Sequence, residues 1–153
     1  MSTLGPAAPA DALLLARIHG QCFDDAWSED AFRNFLSRAN CLAFVAASAA
    51  GSTTPDAFIL VQVAAEECEI LSLGVLPGVR RQGLARALVK AAAAAAQTCG
   101  AAQMFLEVAE DNVAARALYE GLGFTALGRR RNYYRAKDGR GIDALTFRAA
   151  LPL

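Results

Sequence analysis

A metal centre has little to draw on in this chain. It holds one histidine, His19, and four cysteines. Cys22, Cys41, Cys68 and Cys99 include no C-x-x-C pair, the close spacing from which zinc sites are built. No metal is expected. The same spacings do not suggest a disulfide framework, and reduced, buried thiols in a cytoplasmic protein fit them better. Net charge is absent as well: 15 lysines and arginines balance 15 aspartates and glutamates. A neutral chain has no overall field with which to bind nucleic acid or an anionic membrane. Long apolar runs are missing too. No stretch of about 18 apolar residues is free of charge, so no transmembrane helix is expected. The stretch "MSTLGPAAPADALLLARIHG" has no basic n-region, and Asp11 and Arg17 flank its apolar run, which argues against a signal peptide.

What the chain does have is apolar content. Hydrophobic residues make up 55% and charged residues 20%, the balance of a compact chain rather than a disordered one. The length suits one domain over residues 1–153, with a real core. Two local basic clusters survive the charge balance: Arg80, Arg81 and Arg86, then Arg129, Arg130 and Arg131.

Periodicity supplies the elements. "PADALLLARIHGQCF" and "WSEDAFRNFLSR" read as helices, the second with Ser28 as N-cap and Glu29 and Asp30 in its first turn. "NCLAFVAAS" and "AFILVQVAA" read as a strand hairpin around the turn "AGSTTPD", and "CEILSLGVL" as a third strand. Gly83 to Cys99 reads as a helix with Leu84, Leu88, Ala91, Ala95 and Cys99 along one face. "AQMFLEVA" is a strand and Asp111 to Gly121 a short helix. "FTALGRRRNYY" and "ALTFRAAL" are strands on either side of a "KDGRG" turn. This order implies an α/β domain with a parallel strand–helix–strand crossover.

"LSLGVLPGVRRQGLARALV" places a strand, a tight loop and a helix in succession. The first N–H groups of a helix have no intrahelical partner, and the helix dipole adds positive potential there. Such a start is a ready anion site, and Gly83 lets backbone approach a phosphate. An ordinary strand–helix turn with solvated arginines explains the same residues. Further on, "LEVAEDNVAARALYEGLGF" carries two polar residues of interest. On the strand, Gln103, Phe105, Glu107 and Ala109 point one way and Met104, Leu106 and Val108 the other. On the helix, Ala114, Ala117, Leu118 and Gly121 share the face expected to pack on the sheet, and Asn112, Arg116 and Tyr119 lie opposite. Asn112 and Tyr119 are two turns apart, about 10.5 Å along the axis. A rim tyrosine and a solvated strand-end glutamate would account for both, as would an acid/base pair facing one site.

The segment "RRQGLA" is similar to the R/Q-x-x-G-x-G/A loop of the GNAT N-acetyltransferase superfamily, with Ala85 in the last small position. "AWSEDAF", "LGVLPGVRRQGLARALV", "LEVAEDNVAARALYEGLGF" and "RRRNYYRAKDGR", in that order, resemble the RimI type, the bacterial ribosomal-protein alanine N-acetyltransferases. The resemblance implies a single-domain GNAT fold: a mixed, mostly antiparallel central sheet flanked by about four helices. It implies acetyl-CoA as co-substrate and direct attack by an α-amine, with Glu107 as general base and Tyr119 as general acid. Leu73, Gly74 and Val75 would pair with the pantetheine arm. Arg81, Gln82, Gly83, Leu84, Ala85 and Arg86 would hold the pyrophosphate, and Asn112 would contact the cofactor. Trp27, Tyr133 and Tyr134 would border the acceptor, the N-terminus of a ribosomal protein. Trp27 also suits a hydrophobic staple before the Ser28 cap. The oligomeric state is left open, a monomer being compatible.

Two stretches depart from that pattern. Ala26 replaces the usual proline before Trp27-Ser28, and Gly141-Ile142-Asp143-Ala144 is one residue longer than the usual acidic-Asp-Ala. The resemblance implies that both lie on the acceptor side. Other acceptors therefore stay open: a lysine side chain, a polyamine or another small amine. A non-catalytic acetyl-CoA-binding module would need neither Glu107 nor Tyr119. An RNA-binding role for Arg129 to Arg131 finds no recognition motif, though those arginines could contact a ribosomal partner.

Overall fold

Burial alternates where the sequence alternates. In the strand Gln103–Ala109, Met104, Leu106 and Val108 are buried and the residues between them are half-buried. The computed structural model describes residues 3–48 and 53–153; the start of the 50–56 turn lies outside them. In chain order the elements are β1 (Thr3–Pro6), α1 (Ala12–Cys22), α2 (Glu29–Leu36), β2 (Cys41–Ala47), β3 (Ala57–Ala64) and β4 (Glu67–Val75). Then come α3 (Leu84–Thr98), β5 (Gln103–Ala109), α4 (Val113–Gly121), β6 (Thr125–Arg135) and β7 (Gly141–Ala150).

The strands form one sheet of seven in the order β1-β2-β3-β4-β5-β7-β6. Only β4 and β5 run parallel among neighbouring strands; the other pairs are antiparallel. The mixed sheet with four helices is the expected fold. β7 enters between β5 and β6, so β6 pairs with β7 alone. β1 was not expected. "TLGP" has no alternating pattern, and its pairing with β2 supplies what its composition does not. Pro6 is tolerated there because the strand is at the sheet edge.

Each sheet face carries a core. On one, α1 and α2 pack Ala12, Leu15, Ile18 and Phe32 against Ala43, Phe58 and Leu60. On the other, α3 and α4 cover Ile59, Val61, Ile70, Met104, Leu106, Val108, Leu145 and Phe147. The buried face of α3 is Leu84, Leu88, Val89, Ala92, Ala93 and Ala96. This corrects the expected stripe: Ala91 and Ala95 are half-buried and Cys99 is exposed. An alanine run carries no size contrast, so periodicity does not fix its rotation, and Val89 does. Ser28 caps α2 as expected, accepting from Ala31 N at 3.1 Å. Trp27 stands before that cap with its ring 5.4 Å from Phe32, so the staple is formed. Among the described residues no helix is long and apolar enough to cross a membrane.

Candidate active site

The site begins where β4 and β5 part. Their parallel ladder holds only Glu67↔Gln103, Cys68↔Met104 and Glu69↔Phe105. Beyond it β4 runs on to Val75 and β5 to Ala109 without pairing to each other. A bulge lies at the parting: Leu60 faces Ser72 and Val61 faces Ile70, so Leu71 is the extra residue. Bulges bend a strand and end its pairing. The backbone of Leu73 to Val75 is thereby freed on the β5 side.

Gly74, whose missing side chain would suit close approach of a ligand, has a packing reason of its own. A Cβ there would meet Phe58 Cε1 at 2.7 Å and Cys22 Sγ at 3.4 Å. Phe58 is its register partner and lies across it. Val75 O is already engaged, accepting from Arg80 Nε at 2.9 Å and from Cys22 Sγ at 3.3 Å.

The loop after β4 makes a short 3-10 turn, Pro77–Val79, and then enters left-handed backbone at Arg81 (φ 64°) and Gly83 (φ 82°). Gly83 is the N-cap of α3 and offers no side chain to the orphan N–H groups. The first backbone bond of this helix is Ala87 N to Gly83 O, 3.0 Å. The N–H groups of Leu84, Ala85 and Arg86 have no partner among the described residues. By contrast α2 and α4 both have side-chain caps. Arg81 and Arg86 are exposed and make no ion pair among the described residues. Free amides, a helix dipole and two free guanidiniums fit a pyrophosphate. Leu84 itself is buried, so only its backbone can take part.

Asn112 is the N-cap of α4, its Oδ1 accepting from Ala115 N at 3.2 Å. That is a structural task; its amide NH2 is free to do more. The facing of α4 differs from expectation. Tyr119 is buried, 6% exposed, and packs edge-on against Phe124 at 5.5 Å. Ala115, Leu118 and Leu122 belong to the same packed side, whereas Ala114, Ala117 and Gly121 are exposed. The helical wheel counted alanines as the apolar face, but the aromatic ring contributes far more buried area. Burial pushes the Tyr119 hydroxyl well above the ordinary tyrosine range, so it stays protonated. The hydroxyl makes no hydrogen bond within the described residues, and it is not among their sealed, partnerless polar atoms, which are Ser72 Oγ and Arg116 Nε. At the far end of this helix, a Cβ on Gly121 would lie 4.0 Å from Arg86 Nη1, so α4 ends beside the α3 loop.

Glu107 lies on the sheet face that α1 and α2 leave open. It lines a cavity of about 240 Å³ with Gln62, Glu67, Glu69, Phe105 and Thr146. Its side chain is 21% exposed and pairs with Arg130, Nε to Oε1 at 3.0 Å. Burial first, and then the Glu107 charge, push Tyr134 upward, which brings Tyr134 into this group. Tyr133 is 52% exposed and meets Tyr134 edge-on at 5.0 Å. Trp27 is not on this cavity; it stacks on His19 at 5.0 Å and Phe35 at 5.4 Å. Sequence reasoning missed Glu67 and Glu69, and singled out Arg130 only as part of a basic cluster, not as the partner of Glu107. The first two were readable from strand alternation in "ECEIL". The pairing of Arg130 was not, because it depends on β7 lying between β5 and β6.

The β6–β7 hairpin is held by Asp143. Its Oδ2 accepts from Arg129 Nη1 at 2.7 Å and its Oδ1 from Asn132 N at 2.9 Å. Arg129 also reaches Glu110, at 2.7 Å. Between the pairs Arg130↔Ala144 and Tyr134↔Ile142, three β6 residues stand opposite Asp143 alone, with Asn132 left-handed at φ 54°. A Cβ on Gly141 would collide with Asn132 Oδ1, so this glycine makes room for the bulge. The arginine cluster once open to a ribosomal partner is thus largely committed: Arg129 and Arg130 are ion-paired within the fold.

A sheet opened beside an uncapped helix start, with a carboxylate on the strand across the opening, is the arrangement of an acyl-group transferase. The chain belongs to the acetyltransferase (GNAT) family, which matches residues 13–124. It is similar to the ribosomal protein bS18-alanine N-acetyltransferase of Escherichia coli K12, with 43% identity over 97 residues, 63% of this chain. That match spans 64% of the length of the E. coli protein. It is 35% identical over 150 residues to the N-alpha-acetyltransferase RimI of Mycobacterium tuberculosis, covering 95% of this chain and 90% of that one. The crystal structure of the ribosomal-protein-S18-alanine N-acetyltransferase from E. coli superposes with a TM-score of 0.89 at 32% identity, covering all of this chain and 96% of that one.

Proposed function

We propose that residues 1–153 form a single catalytic domain that transfers the acetyl group of acetyl-CoA to the N-terminal α-amine of a ribosomal protein, alanine being the first residue. The observation that carries this reading is the parting of β4 and β5 between the uncapped start of α3 and Glu107. In this reading the amides of Gly83 to Arg86, with Arg81 and Arg86, hold the pyrophosphate. The freed backbone of Leu73, Gly74 and Val75 aligns the pantetheine arm. Asn112 helps through its free amide. Acetyl-CoA supplies an activated thioester, and what the protein adds is mostly orientation of two bound partners.

The acceptor amine must be neutral to attack. An α-amine has a pKa of about 7.7–8.0 and lysine about 10.4, so a carboxylate is an adequate base for the first. Glu107 takes that proton. The Tyr119 hydroxyl, kept protonated by burial, donates to the departing sulfur. Tyr134 lies beside Glu107 and Tyr133 beside Arg130, and the two tyrosines form one wall of the acceptor groove. Trp27 braces the opposite edge through the α1–α2 turn. A ribosomal acceptor puts the reaction in the cytoplasm.

The test is direct transfer. Purified protein is incubated with acetyl-CoA and Ala-initiated peptides, beside N-blocked peptides bearing lysine, and mass spectrometry locates the acetyl group. Acetylation of the free α-amine is expected, with kcat falling in Glu107→Gln while acetyl-CoA affinity is kept. Transfer to lysine alone, or an unimpaired Glu107→Gln, refutes the assignment.

A further inference from the structure

The carboxylate assigned as base is already occupied by a cation of the same chain. Arg130 Nε lies 3.0 Å from Glu107 Oε1. An incoming acceptor brings its own cation, since an α-amine is largely protonated near neutrality. Both cations need the same oxygen atoms.

The backbone around Arg130 is fixed on both sides. Arg129 is clamped by Glu110 and Asp143, and Asn132 N is bound by Asp143. The Arg130 side chain is different: it is 60% exposed and joined to the protein by two contacts. One is Glu107. The other is the ring of Tyr133, with the guanidinium carbon 5.2 Å from the ring centroid. An arginine on an aromatic face retains that contact when its ion pair is lost. It therefore has somewhere to rest when it releases the carboxylate.

We infer that Arg130 is a displaceable latch on Glu107: it holds the carboxylate in the acceptor-free protein, and the acceptor's ammonium group replaces it. This inference rests on the proposed acetyltransferase reading. Arg130 acts here as a positioning residue, not as a group that touches the reacting atoms. Its effect is competition. An ion pair this exposed lowers the apparent affinity for acceptor by about two- to sixfold, because only the unlatched fraction can bind.

The experiment compares wild type, Arg130→Gln and Arg130→Lys with an Ala-initiated peptide. Arg130→Gln is expected to lower acceptor KM by about two- to sixfold, with kcat and acetyl-CoA KM unchanged. Arg130→Lys retains most of the wild-type KM. At ~1 M salt, where screening acts within about 3 Å, wild type and Arg130→Gln should converge. An acceptor KM that stays the same or rises in Arg130→Gln overturns the latch. A second readout does not need turnover: the Nε–H resonance of Arg130, assigned by its loss in Arg130→Gln, should leave its ion-paired position when peptide is added. If that signal moves while no acetyl group is transferred, the activity reading fails and the latch stands. If acetylation proceeds with the signal unmoved, the latch fails and the activity stands. No transfer with an unmoved signal overturns both.

Discussion

Gly74→Ala tests whether the β4 glycine is held by packing rather than by ligand approach. The added methyl would sit 2.7 Å from Phe58 Cε1 and 3.4 Å from Cys22 Sγ. Phe58 cannot easily retreat. It is fully buried and meets Phe32 edge-on at 5.5 Å. Overpacking of this kind costs about 1–3 kcal/mol. Alanine returns about 0.4–1 kcal/mol by stiffening the unfolded chain. The net loss is therefore about 1–2 kcal/mol, or a Tm drop of roughly 2–8 °C for a chain of this size. Urea titration and thermal melts measure it. The decisive arm is a double-mutant cycle with Phe58→Leu, which removes the ring atoms in the way. The double variant should be more stable than the sum of the two single changes by at least about 0.5 kcal/mol. A Gly74→Ala protein as stable as wild type, or strictly additive with Phe58→Leu, would refute the packing argument. A normal melt with a raised acetyl-CoA KM would restore the ligand-approach explanation.

Three further outcomes are expected. Tyr119→Phe should lower kcat by about 10²–10⁴-fold with the melt unchanged, whereas Tyr119→Ala should cost about 3–5 kcal/mol because its ring is core; equal kcat in Tyr119→Phe and wild type removes the acid role. Burial lowers the pKa of His19, while Asp25 opposes the shift, and its Nδ1 accepts from Trp27 N at 3.1 Å. The unfolded chain then binds the proton more readily, so stability should be full above about pH 6.5 and decline as pH falls below it. Trp27 is the only tryptophan, so its fluorescence in acid titrations reports the α1–α2 turn; a pH-independent urea midpoint between pH 5 and 8 would contradict this. Arg81→Ala with Arg86→Ala should raise acetyl-CoA KM and leave acceptor KM alone, as steady-state kinetics will tell.

Much of the fold was readable because strands and helices here keep their periods. "AQMFLEVA" gave the right faces, and with them the exposure of Glu107 on the open side. Ser28 was readable as a cap because capping is local. Rotation of α3 and α4 was not readable, since alanine-rich faces look alike until neighbours are known. Tyr119 was placed on the wrong side for that reason, although it remains the residue proposed as acid. Arg130, Asp143 and Phe58 owe their roles to partners distant in sequence, and no local pattern announces such pairs. β1 escaped notice because four residues ending in Gly-Pro carry no period at all.

The insertion of β7 between β5 and β6 has a consequence for the order in which the protein can be completed. During synthesis β6 emerges before β7, its one partner strand in the sheet. Glu107 sits opposite Thr146, so the strand carrying it stays a bare edge while the next 30-odd residues are made. Such an edge invites pairing with other chains. The β6–β7 hairpin can close on itself before it adds to β5, since the Asp143 bonds to Arg129 and Asn132 lie wholly within it. A chain cut short before Gly141 would lose more than an end: it would leave the strand that carries Glu107 an open edge.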